Sequence, residues 1–160
     1  MWTLVGNGLS NQTFVEGPDG IIAIDTGEST EEMREAIAEL RQVTDRPIIA
    51  VLYTHFHYVG GTEAVFEDRA TQGISDPRGI YIYGHEKVAH NRSRTATEIA
   101  TAYGRGLVEQ FALMLPPDGP DGLVNVGLGH FYRNPAHAPF TSVFVPPTRT
   151  FSDSATLEVA

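Results

Sequence analysis

Gly20-Ile21-Ile22-Ala23-Ile24-Asp25-Thr26-Gly27, with Ile48-Ile49-Ala50-Val51-Leu52-Tyr53-Thr54-His55-Phe56-His57 further on, decides the fold of this chain. Both stretches are continuous apolar runs of strand length, apolar on both faces, which is how a strand buried under another layer reads. Between them Ser29-Thr30-Glu31-Glu32 has the spacing of a capping box, so a helix is predicted to start there. Met33, Ala36, Ile37 and Leu40 recur on one face of that helix, and Asp45-Arg46-Pro47 closes it. Strand, helix, strand in this order implies a parallel pair joined by a right-handed crossover. The ends of the two strands then lie side by side, with Asp25 at one and His55-Phe56-His57 at the other.

Outward from this unit, Trp2–Val5 and Gln12–Glu16 read as strands, and Gly17-Pro18-Asp19-Gly20 is a hairpin loop leading into Ile21. After the histidines come Gly60-Gly61, a short helix from Glu63 to Glu67, a strand from Ile80 to Tyr83, and His85 just beyond it. From Glu86 to about Met114 the pattern is mostly helical, and Gly104 and Gly106 predict a break in it. Residues 116–149 form a long Pro/Gly-rich loop; seven of the ten prolines fall within it. Thr156-Leu157-Glu158-Val159-Ala160 alternates like a strand. The 160 residues are the length of one domain.

Composition removes several classes of function. Acids outnumber bases by 20 to 11, a net charge of −9 that repels phosphate backbones, so no nucleic-acid partner is expected. The imbalance is concentrated in residues 1–80, whereas 81–160 are almost neutral; an anionic ligand favours the second half. The absence of cysteine excludes disulfides, thiolate metal sites and thiol nucleophiles, leaving histidine and carboxylate as metal ligands. No run reaches the roughly 20 apolar residues of a membrane span, and the first residues lack the pattern of a signal peptide. If Met1 is the true start, a cytoplasmic address follows.

In an extended segment residues two apart point to the same side, so His55 and His57 present two imidazoles to one point beyond the sheet. Ligands of open sheets gather at such carboxyl ends. A histidine pair of this kind is either half of a metal site or two hydrogen-bonded polar side chains. Asp25 is either turn chemistry or a carboxylate that orients the histidine loop from behind. His85 is the internal candidate for a third metal ligand, its alternative being a surface histidine at a helix start. Lys87, Arg92, Arg94 and Arg105 make a basic helical region, either a solvated face or a clamp for an oxyanion.

The segments Asn11–Glu16, Gly20–Gly27 and Tyr53-Thr54-His55-Phe56-His57 with Gly60-Gly61 resemble the opening of a metallo-β-lactamase superfamily domain. Leu115-Pro116-Pro117, Gly119-Pro120-Asp121-Gly122, Gly127-Leu128-Gly129 and Val145-Pro146-Pro147-Thr148 resemble the alkylsulfatase branch of that superfamily. The resemblance implies an α/β fold, the N-terminal part of an αββα sandwich, with residues 1–160 forming a partial domain. It also implies a metal-dependent hydrolase in which zinc, one or two ions, activates water against an alkyl sulfate ester. His55 and His57 match the first two histidines of the family motif, Asp25 matches its structural aspartate, and Arg105 matches an arginine that precedes the proline-rich run.

Two departures from the family pattern bear on chemistry. The family writes histidine, any, histidine, any, aspartate, histidine before its glycine pair, whereas here only Tyr58 and Val59 separate His57 from Gly60. Phe111 and Ala112 stand where the alkylsulfatase pattern has tyrosine and glycine. The alternatives are therefore hydrolysis of another ester or of a β-lactam, and a non-catalytic module that keeps the fold. The partner expected in the first case is a small-molecule ester. Half of a two-sheet sandwich also leaves an apolar face open, which predicts a homo-oligomer, or completion by another chain or by a continuation of this one.

Overall fold

A computed structural model describes every residue except Pro117, Gly127, Leu128, Phe131 and Ala160. Pro117, the Gly127-Leu128 pair and the last residue of the 156–160 stretch therefore lie outside the described residues.

The described residues build one six-stranded sheet in the order β1 (Trp2–Leu4), β2 (Gln12–Glu16), β3 (Ile21–Ile24), β4 (Ile48–Leu52), β5 (Tyr81–His85) and β6 (Arg149–Phe151). The first three strands are antiparallel neighbours and the last four are parallel. Parallel pairing requires a crossover after each strand: α1 (Thr30–Leu40) links β3 to β4, and α2 (Thr62–Thr71) links β4 to β5. Helices α3 (Val88–Ala96) and α4 (Ala100–Gln110), a long irregular segment and one 3-10 turn at Pro135–His137 lead to β6.

Register explains the layering. Phe14, Ala23, Val51 and Ile82 lie in one row across the strands, and all are buried. Met33, Ala36, Ile37 and Leu40 of α1, with Ala64, Val65 and Phe66 of α2, cover that row and complete the main core. Burying each of the larger side chains here contributes about 1.5–3 kcal/mol. The opposite face carries Thr13, Ile24, Leu52 and Tyr83 in one row and Val15, Ile22, Ala50 and Tyr81 in the next. Except for Ala50 these side chains are only half-buried, and Tyr81 is exposed. A second, smaller core of Leu9, Phe111 and Val126, flanked by Tyr58, Leu107, Leu113, Leu123 and Tyr132, ties the irregular segment to α4.

Three local expectations are corrected. The helical break falls at Thr97–Ile99, and Gly104 and Gly106 both sit inside α4. Ser93, Thr95 and Thr97 donate their hydroxyls to the carbonyls of His90, Arg92 and Ser93, competition of the kind that ends a helix. The two glycines face open space on an exposed helix, where each costs only about 1 kcal/mol relative to alanine. Second, Thr156–Val159 form no strand; the ladder beside β5 is taken by Arg149–Phe151. Third, His85 is the last residue of β5 and does not follow it.

The half-buried sheet face has a measurable consequence. The 160-residue chain is expected to self-associate in sedimentation experiments, and replacing Val15 and Tyr81 together by lysine is expected to shift it toward monomer. Because Tyr81 is exposed and Val15 half-buried, the unfolding free energy should change by only about 1 kcal/mol. A monodisperse monomer of the unsubstituted chain at high concentration contradicts this reading of the face.

Candidate functional site

The site grows from the turn that follows β3. Asp25 has a left-handed backbone, with φ 56°, which aspartate tolerates better than most residues. Its main chain stays in the ladder through its N–H to the Leu52 carbonyl. Its carboxylate accepts the Thr54 N–H at 2.9 Å and the Thr54 hydroxyl at 2.6 Å. The Thr54 oxygen, its proton committed to Asp25, in turn accepts from Nδ1 of His55 at 2.8 Å. Asp25 thus orients His55 through one intervening hydroxyl. Burial pushes the Asp25 carboxyl above its ordinary range, against the opposing pull of the Thr54 bonds.

The histidine loop is then pressed back on that turn. Thr26 N–H donates to the Tyr58 carbonyl, Gly60 N–H donates to the Gly27 carbonyl, and Gly27 and Val59 form a parallel bridge. A Cβ on Gly60 would overlap the Glu28 carbonyl, and one on Gly61 would overlap the Thr26 carbonyl and the Met33 side chain. The glycine pair is required by this close approach.

Ser29 caps α1 by accepting the Glu32 N–H at 3.2 Å. The Glu32 carboxylate reaches back one residue further than a simple capping box, accepting the Glu28 N–H at 2.8 Å. Its other oxygen accepts from Gln12 at 2.6 Å. Burial raises the proton affinity of both Glu28 and Glu32.

His55 and His57 sit with ring centroids 5.2 Å apart and planes at 71°. They line different cavities. His57 lines a polar cavity of about 180 Å³ with Glu28, Arg92, Tyr103, Arg133 and His137. Its ring stacks beside Tyr103 at 6.2 Å, and burial, with the charges of His55 and Arg92, holds its pKa below the ordinary value. His55 lines a second cavity of about 250 Å³ with His85, Lys87 and Asn91. His85 has both ring nitrogens engaged, one at 2.9 Å from the Ser152 carbonyl, the other accepting the Lys87 N–H at 3.1 Å. Arg105 lies on the exposed side of α4, 3.9 Å from Glu109, and lines none of these cavities. Among the described residues no group of three or more histidine, aspartate or glutamate side chains is placed to hold a metal ion. His55 and His57 supply two imidazoles where a catalytic zinc takes three protein ligands, so the described residues do not complete such a centre.

The sequence did not single out Arg133, Glu28, Tyr132 or His137, and it named Arg92 only as one of a basic group. Arg92 donates to the Ser142 hydroxyl at 2.9 Å and lies over the Phe144 ring, while Arg133 lies between the Tyr132 and Phe140 rings. Among the described residues neither forms a salt bridge with a carboxylate. His137 is buried, its Nε2 2.7 Å from Glu35 and 3.1 Å from Asn7. Beside the polar cavity lies an apolar one of about 260 Å³, lined by Leu9, Tyr58, Leu107, Phe111 and Tyr132. The two share Leu9, Glu28, His57, Tyr103, Leu107 and Tyr132.

Residues 5–148 match the metallo-beta-lactamase superfamily. The chain belongs to that superfamily. Within it the similarity is to alkylsulfatases. A linear primary-alkylsulfatase of Pseudomonas sp. (strain ATCC 19151) is 32% identical over 150 residues, which are 92% of this chain and 26% of that protein. A second linear primary-alkylsulfatase of Pseudomonas sp. is 29% identical over 158 residues, 94% of this chain and 21% of that protein. A stereoselective inverting sec-alkylsulfatase from Pseudomonas sp. superimposes with a TM-score of 0.74 at 23% identity, covering 94% of this chain and 23% of the other. The chain therefore spans about a quarter of the length of these relatives. The metallo-beta-lactamase-like fold is shown by this likeness, and no helix among the described residues is long and apolar enough to cross a membrane.

Two measurements probe how this superfamily member holds its site. Thr54→Val removes the hydroxyl between Asp25 and His55, and is expected to lower the unfolding free energy by about 1–3 kcal/mol in urea titrations. Glu28 and Glu32 bind protons more tightly folded than unfolded. Their contribution to stability is therefore full below the ordinary glutamate value of 4.5 and is lost as the pH rises through their raised values. Urea unfolding as a function of pH should show this decline, and Glu28→Gln should flatten it.

Proposed function

We propose that this chain binds an alkyl sulfate ester, as part of a hydrolase of the alkylsulfatase type. One observation carries the reading. Two guanidinium groups without salt-bridge partners among the described residues line a polar cavity that shares a wall with an apolar one. Arginine presents forked donors to planar oxyanions, so Arg92 and Arg133 suit the sulfate head group, and Leu9, Leu107 and Phe111 suit the chain. Tyr103 and Tyr132, lying on the shared wall, offer hydroxyls at the junction where the ester oxygen would rest. The names of the similar proteins support the same substrate class.

Superfamily chemistry would supply a metal-activated water to the ester. His55 and His57 alone do not meet the ligand count for that. A non-catalytic binding module is the second reading, favoured by the lack of a third ligand beside His55 and His57 among the described residues. In both readings this chain's residues bind and orient the ester.

Calorimetric titration with octyl sulfate separates the readings from the alternatives. Binding is expected, and Arg92→Ala or Arg133→Ala should weaken it by about tenfold or more, the worth of one charge-assisted hydrogen bond. Unchanged affinity in both variants rejects the head-group assignment. Sulfate release together with bound zinc, both lost in His57→Ala, supports the hydrolase over the binding module.

A further inference from the structure

We infer that Glu28 tunes the charge of the head group this cavity accepts, lowering the affinity for a doubly charged phosphate monoester relative to a singly charged sulfate ester. The inference rests on the alkyl-sulfate reading and deepens it. Glu28 lies on the wall common to the polar and apolar cavities, in the electrostatic field of both Arg92 and Arg133. None of its side-chain oxygens is taken up by a hydrogen bond among the described residues, whereas the carboxylate of Glu32 behind it is bound by Gln12 and by the Glu28 N–H. The cavity therefore presents two cations opposed by one uncommitted carboxylate, with a second carboxylate fixed at its back.

A sulfate monoester carries one negative charge at every pH of interest, but a phosphate monoester carries nearly two above its second pKa of about 6. Both heads offer the same tetrahedral oxygens to the arginines, so shape alone does not separate them. Charge does. Repulsion from Glu28 scales with the ligand's charge, so it disfavours the dianion about twice as strongly, in free energy, as the monoanion. Neutralising Glu28 must then release the dianion by the square of the factor gained by the monoanion. Discrimination of this kind works against the wrong ligand and adds no contact to the right one.

The test compares octyl sulfate with octyl phosphate, titrated below their micellar concentrations into the 160-residue chain at about pH 8, where the phosphate is a dianion. The arginines attract the dianion more strongly as well, so the quantity that reports Glu28 is the change in the phosphate-to-sulfate affinity ratio and not its value in the unsubstituted chain. Glu28→Gln should raise the phosphate-to-sulfate affinity ratio by about three- to tenfold, and Glu28→Asp, which keeps the charge, should leave it near the original value. A ratio unmoved by Glu28→Gln, with octyl sulfate binding still sensitive to Arg92→Ala, overturns the role of Glu28 and leaves the head-group reading standing. Binding of neither ligand to the unsubstituted chain overturns both. Glu28→Ala, which also removes the charge, should raise the same ratio, and a ratio unmoved in that variant likewise refutes the inference.

Discussion

The site depends on one close approach of backbone to backbone. Gly60 and Gly61 lie against the carbonyls of Glu28 and Thr26, with the Gly60 N–H on the Gly27 carbonyl and the Thr26 N–H on the Tyr58 carbonyl. No side chain fits in that gap, so two glycines are the physical condition for joining the end of β4 to the turn after β3. Once they are joined, the irregular second half can dock. Val143 N–H donates to the Gly60 carbonyl, Thr30 N–H to the Thr141 carbonyl, and Thr141 N–H to the Glu31 carboxylate. The contact thus fixes the first turn of α1, the histidine loop and the 141–143 strap together.

Charge distribution along the chain takes on a spatial meaning in this arrangement. Glu28 and Glu32 come from the strongly acidic first half, while Arg92, Arg133 and His137 come from the nearly neutral second half. The polar cavity forms where the two halves meet. Buried carboxylates next to unpaired guanidiniums are costly to assemble in a dry interior, and a cavity open to solvent or to an anionic ligand relieves that cost. Burial along the seam raises the proton affinity of Glu28 and Glu32, against the opposing pull of Arg133 and Arg92 on Glu28.

What was legible in the sequence follows from range. The β3–α1–β4 unit, the Ser29 cap and the position of Asp25 are set by neighbours within a turn or a strand, and periodicity reports them directly. The helical break was misplaced because the signal read was glycine, whereas the cause was a run of hydroxyls bonding back to carbonyls at Ser93, Thr95 and Thr97. Arg105 matches the family pattern by its place before the proline-rich run, yet it is exposed beside Glu109 and lines none of the three cavities around the histidine loop. Arg133 sits within that run, where no period applies, and long-range contacts bring its segment over the site: the packing of Leu9, Phe111 and Val126, and the bonds of Asn134 and His137 to Asn7. A cavity lined from residues more than 100 positions apart leaves no local mark.

The shortened histidine motif has a structural counterpart. Directly after His57, Tyr58 and Val59 are already committed to the turn after β3, through the Thr26–Tyr58 hydrogen bond and the Gly27–Val59 bridge. The aspartate and third histidine that the superfamily pattern places before its glycine pair would need two further residues between His57 and this junction. The chain has no backbone there to carry them. Instead His57 leans toward Tyr103 and Arg92, and His55 is held from below by Thr54 and Asp25. Two imidazoles 5.2 Å apart thus take different surroundings, one beside the guanidiniums and one beside His85 and Lys87. The histidine loop thus lies between the arginine-lined cavity, where we propose that an anionic ester binds, and the cavity lined by His85 and Lys87.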